Sequence, residues 1–187
     1  MRIFVALDIP EEIRERLREY IERVRPLAPD APWVRPESLH VTLKFIGEAK
    51  DALVEEVKGV LKQIKAQPFA VEFKDVGFFP SHKSGRVFWA GVQGGEALPK
   101  LASGIDQALQ KIGIEAENRA YHPHLTLARA GTRSGAYQTF KQLPQGIKPE
   151  DHPHFGTMTA QEFFLYQSEL MRGGAKYTKL ERFPLHH

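Results

Sequence analysis

The sequence predicts an α+β fold of two related lobes, with mainly antiparallel sheets related by a pseudo-twofold axis, helices on the outside and an active-site cleft between the lobes. Three observations predict it. The tetrapeptide His40-Val-Thr-Leu43 recurs as His124-Leu-Thr-Leu127, a separation of 84 residues. The same ungapped shift aligns Arg2 with Arg86, Phe4 with Phe88, Ala6 with Ala90, Glu12 with Glu96, Leu17 with Leu101, Ile21 with Ile105, Arg35 with Arg119 and Gly47 with Gly131. That makes 11 identities over positions 2 to 48, against about three expected by chance at ~6% per position, so the chain is an internal repeat of approximately 1–84 and 85–187 within one two-lobed domain. Finally, strand and helix periods alternate in each copy, but no Gly-rich phosphate loop follows any strand and hairpin signals close both halves. Those two features turn the reading away from a parallel doubly wound sheet.

The elements follow in order. Ile3, Val5 and Leu7 alternate with Phe4 and Ala6 as a buried strand. Asp8 and Pro10 then open a helix with Ile13, Leu17, Ile21 and Val24 on one face, which Pro26, Pro29 and Pro32 stop. The first motif strand is expected over about 38 to 46, a second amphipathic helix carries Leu53, Val57, Val60, Leu61 and Ile64, and Phe69 to Phe79 supplies one or two strands. In the second copy, 86 to 92 reads as a strand and Leu98, Leu101, Ile105, Leu109 and Ile112 as a helix face. The second motif strand spans 121 to 128, a short helix follows around Ser134 to Leu143, and 143 to 153 is a Pro-rich loop. Glu162 to Glu169 and Tyr177 to Phe183 form a closing hairpin around Arg172-Gly173-Gly174.

Composition narrows the function classes. The 187 residues are 42% hydrophobic, enough for a sizeable core and for folding as a monomer. No cysteine is present, which excludes disulfides, thiolate metal sites and cysteine nucleophiles and fits a cytoplasmic location. An acid and a proline interrupt the N-terminal apolar run before a signal-peptide core can form, and no apolar run approaches the ~20 residues that span a bilayer, so no membrane partner is expected. The net charge of +3 mildly favours an anionic partner but lacks the dense basic tracts of a dedicated nucleic-acid binder.

The repeated motif carries the chemistry. Residues i and i+2 of a strand project from one face, so His40 points with Thr42 and His124 with Thr126. Two such strands around a twofold axis place two imidazoles and two hydroxyls about one cavity, a set suited to a phosphate. The hydroxyls donate to its oxygens, one neutral imidazole takes a proton and one imidazolium gives a proton, on opposite sides of phosphorus. Histidine suits both roles because its ordinary pKa of about 6.5 keeps both forms available near neutrality. The scheme requires no metal and no other cofactor. Sequence symmetry does not say which histidine is the acid and which the base.

These residues resemble the two-histidine phosphoesterase superfamily, marked by paired His-x-Thr-x motifs, and within it the bacterial and archaeal RNA 2',3'-cyclic phosphodiesterases, historically called 2'-5' RNA ligases. The likeness rests on 1–8, 38–47, Phe79-Pro80 with 86–91, 122–129, and Tyr166 onward to Leu185, and covers nearly the whole chain. The resemblance implies hydrolysis of an RNA 2',3'-cyclic phosphate to a 2'-phosphate, with tRNA fragments or cyclic nucleotides as candidate substrates and 2'-5' ligation as a weak side reaction. It implies that His40 gives a proton to the departing 3'-oxygen, that His124 activates water, and that Thr42 and Thr126 hold the phosphate oxygens.

Several residues admit two readings. Arg129 breaks the repeat, since its counterpart is Phe45; it is a phosphate contact or a solvated surface arginine, and Phe45 a base contact or core filler. Arg35 and Arg119 repeat each other, as capping or surface pairing also explains. The pairs His122-Pro-His124 and His152-Pro-His154 offer a four-histidine metal set, the basis of a rival metal phosphohydrolase, but no carboxylate cluster accompanies them. The basic loop 81 to 86 tracks an RNA backbone or is an exposed hairpin tip. An RNA-end binding protein with little turnover is the other rival.

Overall fold

Alternation along the first strand splits its side chains between two environments. In β1 (Arg2–Leu7), Ile3, Val5 and Leu7 enter the main core, whereas Phe4 and Ala6 join Phe164 and Tyr166 in a separate cluster on the opposite face. That second cluster becomes the floor beneath the first histidine. The computed structural model describes residues 1–130, 140–148 and 150–187.

Among the described residues, eight strands form two antiparallel four-stranded sheets. The first has the order β2-β1-β7-β8, with β2 Val41–Glu48, β7 Glu162–Met171 and β8 Gly174–Pro184. The second has the order β5-β4-β3-β6, with β3 Phe69–Phe79, β4 Val87–Gln93, β5 His124–Arg129 and β6 His154–Ala160. The two orders match position by position, with a motif strand (β2 or β5) at one edge of each sheet. The predicted closing hairpin is β7 and β8, with Met171 paired to Gly174 across a tight turn.

The helices also follow their predicted faces. Helix α1 (Glu11–Val24) buries Ile13, Leu17, Tyr20, Ile21 and Val24, and Glu11 and Glu12 place negative charge at its positive end. Helix α2 (Asp51–Leu61) buries Val54, Val57 and Leu61, and α3 (Ala97–Gln110) buries Leu98, Leu101, Ala102, Ile105 and Leu109. The helix predicted around Ser134 to Leu143 lies largely outside the described residues. Where a Pro-rich loop was expected after it, a short helical turn runs over Leu143–Gly146.

Two findings correct the repeat as read from sequence. First, the sheets do not follow the halves of the chain: β3 precedes the repeat boundary yet pairs with β4, while β7 and β8 from the chain's end complete the sheet begun by β1 and β2. Second, the shift of 84 holds for the motif strands but slips by one residue in the first strands. Ala6 pairs with Thr42 and Trp89 with Thr126, so Ala6 corresponds to Trp89 and not to Ala90. A one-residue slip exchanges faces. Phe4 therefore lies on the face opposite the main core, whereas Phe88, aligned with it by sequence, is core.

Candidate active site

Both motif strands contain a β-bulge at the same place. Val5 pairs with Lys44 and Ala6 with Thr42, leaving Leu43 extra; Phe88 pairs with Ala128 and Trp89 with Thr126, leaving Leu127 extra. Positions 43 and 127 are equivalent in the repeat. Strict alternation would have sent Phe45 and Arg129 to the core with the leucines. The bulge instead buries two consecutive residues, Leu43 with Lys44 and Leu127 with Ala128, and turns the next one outward. Phe45, 66% exposed, and the exposed Arg129 thus follow Thr42 and Thr126 on the open face.

The two imidazoles are oriented alike. His40 Nδ1 lies 2.8 Å from the Ser38 carbonyl oxygen, and His124 Nδ1 lies 2.6 Å from that of His122, in each case two residues back. A carbonyl can only accept, so Nδ1 carries the hydrogen and donates it, and the neutral ring presents its lone pair at Nε2. Both rings are partly exposed, as are both threonines.

Their surroundings differ. His40 stacks on Phe4 at 4.7 Å between ring centres and meets the edge of Tyr177 at 5.0 Å, with Tyr166 at 6.0 Å. Burial among these rings pushes its pKa down to about 4, partly countered by the Ser38 carbonyl and by Asp8. His124 meets Phe79 edge to face at 5.1 Å, and Phe79 in turn packs on Trp89 at 5.4 Å. Burial raises the pKa of the Tyr177 phenol, and the nearby positive charge of Arg129 opposes that rise.

Each motif strand is held by the segment that precedes the other. The chain leading to His40 bridges to β5: Val34 N–H donates to the Leu127 carbonyl at 2.8 Å, and Arg129 N–H to the Pro32 carbonyl at 3.2 Å. In return, the Tyr121 hydroxyl, three residues before His124, donates to the Thr42 carbonyl at 2.8 Å. The buried Lys44 of β2 reaches Asp106 of α3 at 2.5 Å and the Glu115 carbonyl at 2.8 Å. A cavity of about 500 Å³ opens beside His40, lined by Asp8, Arg14, Leu39, Tyr166, Tyr177 and Lys179 among others.

Other sequence candidates are not drawn into this site. His154 lies on β6, at the opposite edge of its sheet from β5. Two intervening strands at about 4.8 Å spacing put those edges roughly 14 Å apart. His152 and His154 pair instead with Asp75 and Glu72, and among the described residues no three His, Cys, Asp or Glu side chains gather as metal ligands. In the basic loop, His82 lies 2.6 Å from the Pro144 carbonyl, which ties that loop to the following turn. Arg35 donates to the Ala175 carbonyl of β8, and Arg119 pairs with Glu117. Among the described residues no helix is long and apolar enough to cross a membrane.

Comparison with known proteins agrees with this architecture. The family model described as LigT-like phosphoesterase matches residues 7–89 and 92–177. The chain belongs to the LigT-like phosphoesterase family. A relative from Archaeoglobus fulgidus named RNA 2',3'-cyclic phosphodiesterase is 31% identical over 98% of this chain and 99% of its own length. One of that name from Thermotoga maritima is 33% identical over 96% and 93%. The crystal structure of E. coli LigT complexed with 3'-AMP superimposes with a TM-score of 0.79 at 28% identity, covering 100% of this chain and 98% of that one.

The residues not assigned a part around the motif from the sequence are Phe4, Tyr166, Tyr177, Asp8, Arg14 and Tyr121. Their contacts with the motif are long-range, and no local spacing announces them.

Proposed function

We propose that this LigT-like phosphoesterase hydrolyses the 2',3'-cyclic phosphate at an RNA end, leaving a 2'-phosphate, with His40 and His124 as its acid and base and no metal. Water attacks phosphorus as His124 Nε2 takes its proton. The bond from phosphorus to the 3'-oxygen breaks, and His40 gives that oxygen a proton. Thr42 and Thr126 donate hydrogen bonds to the phosphate oxygens, which gain charge in the transition state. Arg129 grips the phosphate, and Phe45 offers an exposed ring for the terminal base.

The observation that carries this reading is the matched pair of imidazoles, each donating Nδ1–H to the carbonyl two residues back, each with Nε2 left for substrate and a threonine two residues on. In the free site burial keeps His40 neutral. A phosphodiester anion within hydrogen-bond reach of Nε2 supplies the field that restores its proton before it acts as donor. The names of the relatives and the 3'-AMP complex of the E. coli protein support a nucleotide end as substrate.

The test is a product assay on an oligonucleotide ending in a 2',3'-cyclic phosphate, with and without chelator. A 2'-phosphate product and undiminished rate with chelator are expected. Substrate recovered unchanged despite tight binding would leave an RNA-end binding protein, and loss of the rate on chelation would leave a metal phosphohydrolase. Incubation with tRNA halves carrying the matching ends tests 2'-5' ligation, expected as a minor reaction.

A further inference from the structure

Among the described residues, the guanidinium of Arg14 is the one buried cation beside the first histidine to which the acid–base mechanism gives no part. It comes from α1 and is 8% exposed. Nη1 donates to the carbonyls of Pro36 and, at 3.2 Å, Leu39, while Nη2 donates to Asp8 Oδ1 at 2.9 Å and to the Ile9 carbonyl at 3.3 Å. Pro36 begins the turn Pro36–Ser38 and Leu39 follows it, and the Ser38 carbonyl orients the His40 ring. Asp8 is itself held from the far side by Lys179 at 2.6 Å. Charge-assisted bonds therefore run from Lys179 of β8 through Asp8, just after β1, and Arg14 of α1 to the carbonyls on either side of Ser38, whose own carbonyl fixes the imidazole.

The second lobe has no such device at the same register. The repeat aligns Arg14 with Leu98, which is apolar and fully buried. The segment before His124 is tied instead by the Tyr121 hydroxyl on the Thr42 carbonyl. The two histidines share an orientation but not a support.

We propose that Arg14, braced by Asp8, is a positioning residue for His40: it holds the 36–39 turn so that the Ser38 carbonyl selects the Nδ1–H tautomer and aims Nε2 at the substrate. The kinetic part rests on the phosphodiesterase reading; the geometric part does not. A guanidinium is needed because a single side chain must reach three carbonyls and a carboxylate at once, which its fixed fork of donors does and a lysine ammonium does not. The charged and titratable groups facing the ring are Asp8 at the end of β1, Arg14 from α1, Tyr166 from β7 and Tyr177 from β8.

The test compares wild type, Arg14→Lys, Arg14→Met and Asp8→Asn by two readouts. The first is the ¹⁵N spectrum of the His40 ring at neutral pH, where a single Nδ1–H tautomer is expected in wild type and a mixture in both Arg14 variants. The second is turnover of the cyclic-phosphate oligonucleotide. There kcat is expected to fall about 10- to 100-fold in Arg14→Lys, as for a small misplacement of a reacting group, with KM nearly unchanged. Asp8→Asn, which keeps an acceptor for the guanidinium, is expected to fall less. In a His40→Ala background Arg14→Lys should cost nothing further. Should Arg14→Met fail to fold, Arg14→Lys, which keeps a cation in the slot, decides the matter. A folded Arg14→Lys whose His40 ring remains the single Nδ1–H tautomer overturns the proposal. An inactive wild type would instead remove the proposed activity, and the ring spectrum would still decide the positioning role.

Discussion

At the residue scale, one consequence of the fold is that the first histidine loses proton affinity. Burial against Phe4, Tyr166 and Tyr177 holds the His40 pKa near 4, so between the ordinary value of about 6.5 and that value the unfolded chain binds a proton that the native site refuses. The unfolded state then carries more protons, and stability must fall as pH drops through that window and level off below it. Urea unfolding at pH 7 and pH 5 is expected to show a larger acid loss for wild type than for His40→Asn, and equal losses would contradict the burial of a neutral ring. The same group should respond to its ligand. A saturating 3'-phosphate nucleotide is expected to raise the His40 pKa in an NMR titration, and a value unmoved by bound phosphate would remove the donor role. For activity, His40→Ala and His124→Ala are each expected to lower turnover by about 10²–10⁴, with wild-type rates in either one rejecting the mechanism. These two histidines and their threonines were legible in the sequence because a repeat displayed them twice. Arg14 and Tyr177 were not: an arginine at the fourth position of a helix reads as solvent-facing until the turn it clamps is folded against it.

At the scale of elements, periodicity was a reliable guide to the three long helices and to seven of the eight described strands, and it failed where the backbone departs from regularity. Strand β6, His154–Ala160, went unread because its only large apolar residues are Phe155 and Met158, with Gly156 between them at a φ of 137°. The bulges were invisible for a related reason. A bulge adds a residue without changing composition, and only the partner strand reveals which one is extra. Strand geometry also makes a prediction. Gly91 of β4 pairs with His124, and a Cβ built there would lie 2.4 Å from the Lys74 carbonyl oxygen of β3, an atom fixed in the sheet. Gly91→Ala should therefore destabilise the fold by about 1–3 kcal/mol through overpacking and disturb His124. On the exposed side of α3, a methyl group added at Gly104 would meet nothing within 4 Å, and Gly104→Ala should stabilise by about 0.5–1 kcal/mol through helix propensity. Chemical denaturation of the two variants should move in opposite directions.

At the scale of the whole molecule, the exchange of strands between halves decides how the site is assembled. The main core is one cluster containing Ile3, Val5 and Leu7 of the first sheet together with Phe73, Phe88 and Ala90 of the second. The two sheets therefore cannot lose their packing separately. A chain cut at the repeat boundary would leave residues 1–84 with β1 and β2 but without β7 and β8, and with β3 lacking both its neighbours. Residues 85–187 would hold β7 and β8 without β1, and β4 would lose the partner that joins it to β6. Neither fragment retains a four-stranded sheet, and both expose apolar faces that the intact core buries. Each fragment expressed alone is expected to lack cooperative unfolding, whereas mixing them should restore ordered structure and, with it, hydrolysis, because the two histidines reside on different pieces. Trp33 sits at the junction with β5 and Trp89 inside the second sheet, so single-tryptophan variants of the intact chain report on the two regions independently. Coincident denaturation curves from the two probes are expected. Separate transitions, or a 1–84 fragment that folds by itself, would mean that the halves are autonomous and that the crossed strands do not hold the cleft together.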